Sequence, residues 1–268
     1  MEKDRRIEVM GIVNLTDDSF YEGSRCSGVD AALDRIGQMV AEGVDIIDLG
    51  ACSTRPGSVP VGENEEWERL EPVLKAVRAA SPDLRISIDT YWASVVRKAY
   101  ELIGDFIVND ISAGEDDPLM LPTIGELGLE YVAMHKRGTP ETMQGLSDYS
   151  DVVEDVKAYF VDFAARADAF GIRNWVLDPG IGFAKSIEQN YELLKRLKEF
   201  KGIDTCPRIL IGVSRKSLIY KYFNISPSDS LPATQVVHLA ALQNGADILR
   251  VHDVAEAVRT VALYRMLS

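Results

Sequence analysis

Polar side chains that could bind a ligand stand at the ends of short apolar runs in this chain. Asp178 follows the apolar residues 175–177 and precedes Pro179 and two glycines, which turn the backbone sharply. Asp89 and Asn109 end two earlier apolar runs in the same way. A buried carboxylate costs free energy unless it has a partner. One such residue is explained by a helix cap, but several of them favour a shared binding pocket.

The chemistry of these side chains indicates what such a pocket would bind. Two carboxylates and an amide suit a planar heterocycle with adjacent N–H donors, because one carboxylate accepts two parallel N–H bonds. Arg250 and His252 stand two residues apart, so they share one face of a strand and form a candidate anion site. Lys216 adds a cation, although residues 214–216 by themselves are equally typical of a solvated turn. Further candidates are Asn14, Asp110, Met134 and His135 at the ends of runs, and Thr54 and Arg55 in the long loop after the second run.

The elements that must position these residues alternate in type. Strand-like apolar runs are each followed by a stretch with helical periodicity. The strand-like runs are 7–14, 45–50, 85–89, 106–110, 131–135, 175–178, 208–213 and 248–252. The helix-like stretches are 29–42, 63–80, 92–102, 118–127, 149–170, 186–200, 232–244 and 254–267.

This alternation predicts a single-domain α/β fold, a parallel (β/α)8 or TIM barrel that spans residues 1–268. The alternative is an open, doubly wound sheet, which would usually carry a glycine-rich fingerprint after its first strand, and none is present here. In a barrel the carboxyl ends of the strands form the active site, and the loops after the last two strands often bind phosphate. We therefore expect the polar residues to meet at one end, with Arg250 and His252 beside a phosphate group.

Composition narrows the possible partners and compartment. The net charge of −13, from 42 acidic and 29 basic residues, argues against nucleic-acid binding and against an anionic membrane surface. We see no apolar run long enough to span a bilayer and no signal-peptide core. The three cysteines lack zinc-site spacing, which favours a reduced, cytoplasmic compartment.

Among the histidines, His238 is interpreted as partly buried and structural, whereas His135 is either a catalytic or a hydrogen-bonded core residue.

Eight motifs occur in a fixed order along the chain. They are MGIVNLTDDSF at 10–20, STRPG at 53–57, SIDT at 87–90, NDIS at 109–112, MH at 134–135 with GTP at 138–140, DPGIGF at 178–183, SRKS at 214–217 and RVHDV at 250–254. Each motif alone is weak, but the ordered set is specific. Together they resemble the dihydropteroate synthase family nearly from end to end.

The resemblance implies an enzyme of folate biosynthesis. Such an enzyme joins p-aminobenzoate to 6-hydroxymethyl-7,8-dihydropterin diphosphate with Mg²⁺ and releases pyrophosphate, and sulfonamides compete with p-aminobenzoate. It implies Asn14 as the protein ligand of Mg²⁺ and a homodimer as the assembly. The implied catalytic residues are Asp89, Lys216, Arg250 and His252. The implied substrate-binding residues are Thr54, Arg55, Pro56, Asp89, Asn109, Met134, Asp178, Phe183, Ser214, Lys216, Arg250, Val251 and His252.

The resemblance also implies which of these residues hold each part of the substrates. Asp89, Asn109, Asp178 and Lys216 would hold the pterin, while Arg250 and His252 would hold the diphosphate. The p-aminobenzoate site would be formed by residues 54–56 together with Phe183, Ser214 and Lys216.

Two positions depart from the family pattern, and two other functions stay open. Asp17 stands where the family usually has proline, and Ala51–Cys52 where it usually has Gly-Glu. A methyltetrahydrofolate methyltransferase would share the acidic pocket but would need neither a diphosphate site nor the loop at 53–57. A non-catalytic pterin-binding module would not need the metal, diphosphate and loop residues together.

Overall fold

The computed structural model describes residues 5–15, 25–52, 61–138, 146–203 and 208–268, with the side chains of 25–27 left aside. The strands are β1 (Glu8–Asn14), β2 (Ile46–Gly50), β3 (Arg85–Asp89), β4 (Ile107–Asp110), β5 (Glu130–Met134), β6 (Trp175–Asp178), β7 (Arg208–Ile211) and β8 (Ile248–Val251). The helices are α1 (Arg25–Ala41), α2 (Glu63–Ala80), α3 (Ala93–Ile103), α4 (Met120–Leu127), α5 (Val152–Ala169), α6 (Ile187–Lys195), α7 (Ser217–Phe223), α8 (Leu231–Gln243) and α9 (Val254–Leu267).

The strands form one closed parallel barrel in chain order, because β8 pairs with β1. This confirms the predicted (β/α)8 fold over the open sheet. Two helical details differ from prediction. The helix predicted at 186–200 ends at Lys195 and continues, after Arg196, as a 3₁₀ helix over Leu197–Gly202. The short helix α7 was not predicted, since seven residues with three aromatic side chains carry little helical periodicity.

Strand residues alternate between two hydrophobic clusters. Inward-facing side chains fill the barrel, and these are Met10, Ile46, Ile107, Val132, Val176, Leu210 and Ile248. Outward-facing side chains such as Ile47, Val108 and Leu249 join a larger cluster between the strands and the helices. The inner cluster is therefore a packed layer and not a channel.

Charged residues close the amino-terminal mouth of the barrel. Glu8 is 1% exposed and forms ion pairs with Arg85 and with Arg208, the latter at 2.6 Å. Arg85 also pairs with Glu130 at 3.1 Å. Among the described residues, these paired charges cover the amino-terminal end of the inner apolar layer.

Within the described residues, none of the helices combines the length and hydrophobicity needed to cross a bilayer.

Candidate active site

Five inward-facing side chains form a polar layer at the carboxyl end of the barrel. They are Asp48 on β2, Asp89 on β3, Asn109 on β4, Asp178 on β6 and Arg250 on β8. Four of them stand two residues after an inner apolar residue, namely Ile46, Ile107, Val176 and Ile248. Alternate strand residues share a face, so the strands place this polar layer directly above the apolar one.

Asp48 lies at the centre of the polar layer and is fully buried. Its carboxylate accepts hydrogen bonds from Arg250 Nε at 2.7 Å and from Ser87 Oγ at 2.6 Å. The Asn109 Nδ2 donates at the longer distance of 3.3 Å to Asp48 Oδ2. The two carboxylate oxygens have enough lone pairs to accept from all three partners. Asp48 thereby orients two other members of the polar layer.

Arg250 bridges two carboxylates of the polar layer. Its Nη2 lies 2.6 Å from Asp48 Oδ2 and 2.7 Å from Asp89 Oδ2. Burial opposes the charge of Arg250, but Asp48 and Asp89 outweigh that effect and raise the pKa of Arg250 above its usual value. Burial also raises the pKa of Asp89, with Arg250 opposing the rise. Charge-assisted hydrogen bonds therefore hold Arg250 inside the layer.

The turn after β6 orients Asp178 and contacts a lysine. Asp178 Oδ1 accepts a hydrogen bond from the Gly180 N–H at 2.8 Å. Burial raises the pKa of Asp178, and Lys216 opposes that rise. Lys216 Nζ donates to the Ile181 carbonyl at 2.6 Å and lies 4.9 Å from the centre of the Phe183 ring. Burial lowers the pKa of Lys216 to about 8, which Asp178 partly opposes.

A second lysine contacts the same turn together with His135. Lys185 Nζ lies 3.1 Å from His135 Nδ1 and donates at 3.0 Å to the carbonyl oxygens of Gly180 and Phe183. His135 also packs edge-on against Tyr159, with 4.9 Å between the ring centres. Burial, reinforced by the charge of Lys185, lowers the pKa of His135 to about 2. The imidazole is therefore neutral near pH 7, which favours the hydrogen-bonded core role for His135.

The loop after β7 contacts the residues that follow β8. The backbone N–H of His252 donates to Ser214 Oγ at 3.2 Å, and His252 Nδ1 lies 3.2 Å from the same oxygen. Arg215 has a φ of 54° and pairs with Asp253 through Nε at 2.9 Å and Nη2 at 2.7 Å. This pair holds the loop so that Ser214 stays beside His252.

Comparison with known proteins gives the family. The family model described as pterin binding enzyme matches residues 10–252. The dihydropteroate synthase of Escherichia coli K12 is 39% identical over 255 residues, which cover 94% of this chain and 89% of that protein. The dihydropteroate synthase of Synechocystis sp. is 40% identical over 253 residues, which cover 93% of this chain and 86% of that protein. The chain belongs to the dihydropteroate synthase family of pterin-binding enzymes.

Solved structures of family members share the whole barrel. A dihydropteroate synthase from Clostridium difficile, crystallised in the presence of pteroic acid, superposes with a TM-score of 0.90 at 38% identity and covers 98% of each chain. The dihydropteroate synthase from Xanthomonas albilineans with 4-aminobenzoic acid superposes with a TM-score of 0.89 at 35% identity, covering 99% of this chain and 94% of that one.

The structure brings several family-implied residues into one place. Asp89, Asn109, Asp178 and Arg250 lie in the polar layer. Met134 ends β5 in register with Asp178 and is buried. Lys216, Phe183, Ser214 and His252 lie in the loops described above.

Other family-implied residues are placed differently. The side chain of Val251 is fully buried in the outer cluster, so any contact it makes with a ligand has to come from its backbone. Thr54, Arg55 and Pro56 lie outside the described residues, as does the departure at Asp17. Cys52, the other departure, is half-buried at the end of β2, with its Sγ 4.0 Å from Tyr91 Oη.

Sequence reasoning missed two members of this region. Asp48 stands inside the apolar run of β2 and not at its end, so it does not fit the pattern of polar residues at the ends of runs. An acidic residue within a buried strand was itself a signal, because it needs a buried partner. Lys185 follows the DPGIGF motif, and no local pattern indicated that its side chain folds back onto that motif.

Asn14 is the implied protein ligand of Mg²⁺, and it ends β1 half-buried. Among the residues that the structure describes, no group of three or more His, Cys, Asp or Glu side chains could hold a metal ion. Mg²⁺ in phosphate-handling enzymes is usually held by one or two protein groups together with substrate phosphates and water. A single amide oxygen at this end of the barrel therefore fits an ion that arrives with a diphosphate.

Proposed function

We propose that this chain catalyses the dihydropteroate synthase reaction, in which p-aminobenzoate displaces the diphosphate of 6-hydroxymethyl-7,8-dihydropterin diphosphate. The observation that carries the proposal is the polar layer. It offers carboxylate and amide acceptors at the bottom of a site whose rim carries Lys216 and His252. This is the arrangement that a flat heterocycle with N–H donors and an anionic tail requires.

The pterin ring is proposed to bind against Asp178, Asn109 and Lys216. Gly180 already occupies Oδ1 of Asp178, so the ligand N–H groups would be received chiefly by the other carboxylate oxygen. Asn109 is held from one side by Asp48, which sets the direction of its amide. Lys216 would turn from the Ile181 carbonyl toward an acceptor atom of the ring.

Arg250 and Asp89 are proposed to act as a linked pair. In this structure Arg250 pairs with both Asp48 and Asp89, so it can reach a diphosphate only by giving up part of those contacts. Donors on an incoming pterin would replace Arg250 at Asp89 and leave its guanidinium available to the diphosphate. Pterin binding would thus prepare the anion site.

The leaving group is proposed to be neutralised by Arg250, His252 and an Mg²⁺ ion held by Asn14. Bound Mg²⁺ would supply electrostatic stabilisation of the charge that develops on the diphosphate. As the C–O bond breaks, the electron-rich dihydropterin delocalises the carbon cation, and the aryl amine attacks it without a covalent enzyme intermediate. Ser214, Phe183 and Lys216 would form the described part of the p-aminobenzoate site, with residues 54–56 completing it.

The assembly and the cellular compartment of the enzyme form a separate proposal. We propose that residues 1–268 act as one pterin-binding barrel domain and that the enzyme is a cytoplasmic homodimer. Large exposed apolar side chains occur on α7, α8 and α9, and α8 packs against α9; the exposed residues include Tyr222, Phe223, Val236, Leu263 and Met266. Exposed apolar surface of this kind often marks a protein interface.

A pyrophosphate-release assay with both substrates and Mg²⁺ tests the reaction. We expect pyrophosphate and dihydropteroate to form in equal amounts only when both substrates are present. Pterin binding without turnover would indicate a non-catalytic binding module. Methyl transfer from methyltetrahydrofolate in place of pyrophosphate release would indicate the methyltransferase.

A further inference from the structure

The turn that follows β6 connects two functions in one short segment. It begins directly after Asp178 and ends at Phe183, so both the proposed pterin ligand and part of the p-aminobenzoate wall depend on its shape. Gly180 and Gly182 adopt φ values of 69° and 85°, which few other residues tolerate. A Cβ on Gly180 would lie 1.9 Å from the His135 carbonyl oxygen, so the turn packs closely on the end of β5.

Each N–H donor of the Lys185 ammonium group has an acceptor in or beside this turn. An ammonium group has three N–H donors and no acceptor. Lys185 Nζ has three neighbours that can accept them, the Gly180 carbonyl at 3.0 Å, the Phe183 carbonyl at 3.0 Å and His135 Nδ1 at 3.1 Å. The low pKa of His135 means that its ring is neutral, and the tautomer protonated at Nε2 supplies a lone pair at Nδ1. The same ammonium therefore joins the turn at two points and β5 at a third.

Gly180 transmits this contact to the ligand site. Its carbonyl oxygen accepts from Lys185, and its N–H donates to Asp178 Oδ1 at 2.8 Å. Rotation of the turn would move both groups together. The direction of the Asp178 carboxylate is thus tied to the contact between Lys185 and Gly180.

We propose that Lys185 is a positioning residue for pterin binding, which holds Gly180 so that its N–H keeps the Asp178 carboxylate turned toward the ligand. The identity of the ligand rests on the proposed function. Lys216 also contacts the turn, through Ile181, but it is expected to turn toward the ligand when the ligand binds. Lys185 is the cation that can hold the turn in both states.

Fold stability alone is a poor explanation for this lysine. Burial lowers the pKa of Lys185 to about 7, with Asp178 opposing that effect, so the three contacts belong to the protonated form, which predominates below about pH 7. A charged group in such a place contributes little net stability compared with an apolar side chain of similar size. What distinguishes Lys185 from a methionine of similar size is its three directed contacts.

The test compares Lys185→Met with Lys185→Arg and with Lys195→Met as a matched control. Methionine keeps the aliphatic length without the donors, whereas arginine keeps a cation with several donors. Lys195 lies on the neighbouring helix α6 with its side chain 72% exposed. Calorimetry would measure the Kd of 6-hydroxymethyl-7,8-dihydropterin and, separately, of pyrophosphate with Mg²⁺, and thermal unfolding would give the Tm.

We expect Lys185→Met to weaken pterin binding by about 10- to 100-fold, because a small displacement of a positioned group has effects of that size. Its Kd for pyrophosphate with Mg²⁺ and its Tm should stay close to those of the wild type. Lys185→Arg should recover part of the pterin affinity, and Lys195→Met should match the wild type.

Three outcomes would overturn the inference. Unchanged pterin affinity in Lys185→Met would show that the turn keeps its shape without the ammonium. Equal weakening of both ligands with a lower Tm, or failure of both Lys185 variants to fold, would show that the residue supports the fold and not the site. A wild-type protein that binds no pterin would instead refute the proposed function, which keeps the two failures apart.

Discussion

Asp48→Asn is the substitution that most directly tests the polar layer. The amide keeps the size of the side chain but exchanges a charged oxygen for an NH₂ group. Arg250 can only donate to Asp48, so an NH₂ group turned toward it would face a donor, whereas an NH₂ group turned toward Ser87 could be accepted by the Ser87 hydroxyl once that hydroxyl rotates. The variant therefore loses an ion pair in a fully buried position, and its amide can keep good contacts in only one orientation.

The expected loss follows from the partners that remain. Removing one member of a buried ion pair costs about 3–5 kcal/mol when the other charge is left alone. Arg250 keeps Asp89 at 2.7 Å, so it is not left alone. We therefore expect the free energy of unfolding to fall by about 2–3 kcal/mol. Arg250 would also pair more closely with Asp89, which the pterin donors need. Pterin affinity should therefore fall on the order of tenfold, or ~1.4 kcal/mol.

Urea unfolding and calorimetry with 6-hydroxymethyl-7,8-dihydropterin would measure the two effects. Asp34→Asn is a suitable control, because Asp34 is an exposed acid on α1 and its substitution removes the same charge far from the barrel. Wild-type stability and wild-type pterin affinity in Asp48→Asn would refute the reasoning. They would mean that the short contacts of Asp48 contribute no free energy.

Three further predictions concern the same site. Asp178→Asn should preserve the fold but weaken pterin binding by about 2–5 kcal/mol, because its NH₂ group would face the N–H donors of the ligand. Calorimetry measures this loss, and near-wild-type affinity would contradict the assignment of Asp178 to the pterin. Arg250→Ala should weaken the diphosphate substrate far more than the free pterin, because only the former carries the charge that Arg250 would pair with once the pterin has displaced it from Asp89; equal losses for both ligands would show that Arg250 supports the polar layer instead. As pH rises through about 8, Lys216 should lose its proton, so affinity for the pterin diphosphate should fall, and a titration series of Lys216→Arg should show a smaller fall. Between about pH 8 and 10.5, Lys216 is mostly deprotonated in the folded protein but still protonated in the unfolded chain. The contribution of Lys216 therefore makes the free energy of unfolding rise with pH in this window, and urea unfolding can measure that rise.

The sequence alone determined the barrel and most of its site. Strand and helix periodicities are local signals, and eight alternating units in a chain of this length leave few arrangements other than a closed barrel. In that fold the carboxyl ends of all strands meet, so Asp89, Asn109, Asp178 and Arg250 could be placed together from their positions in the strands. The ordered motifs then indicated the family, which the comparisons confirm.

Tertiary structure decided which of these residues contact one another. Arg250 and Asp48 are 202 positions apart in the chain and touch only because β8 closes on β1 beside β2. No local pattern could show that Arg250 is already paired, or that Lys185 folds back onto Gly180 and reaches across to His135. The physical reason is that side-chain charges pair through space after closure of the sheet, whereas periodicity reports only which face of its own element a residue occupies.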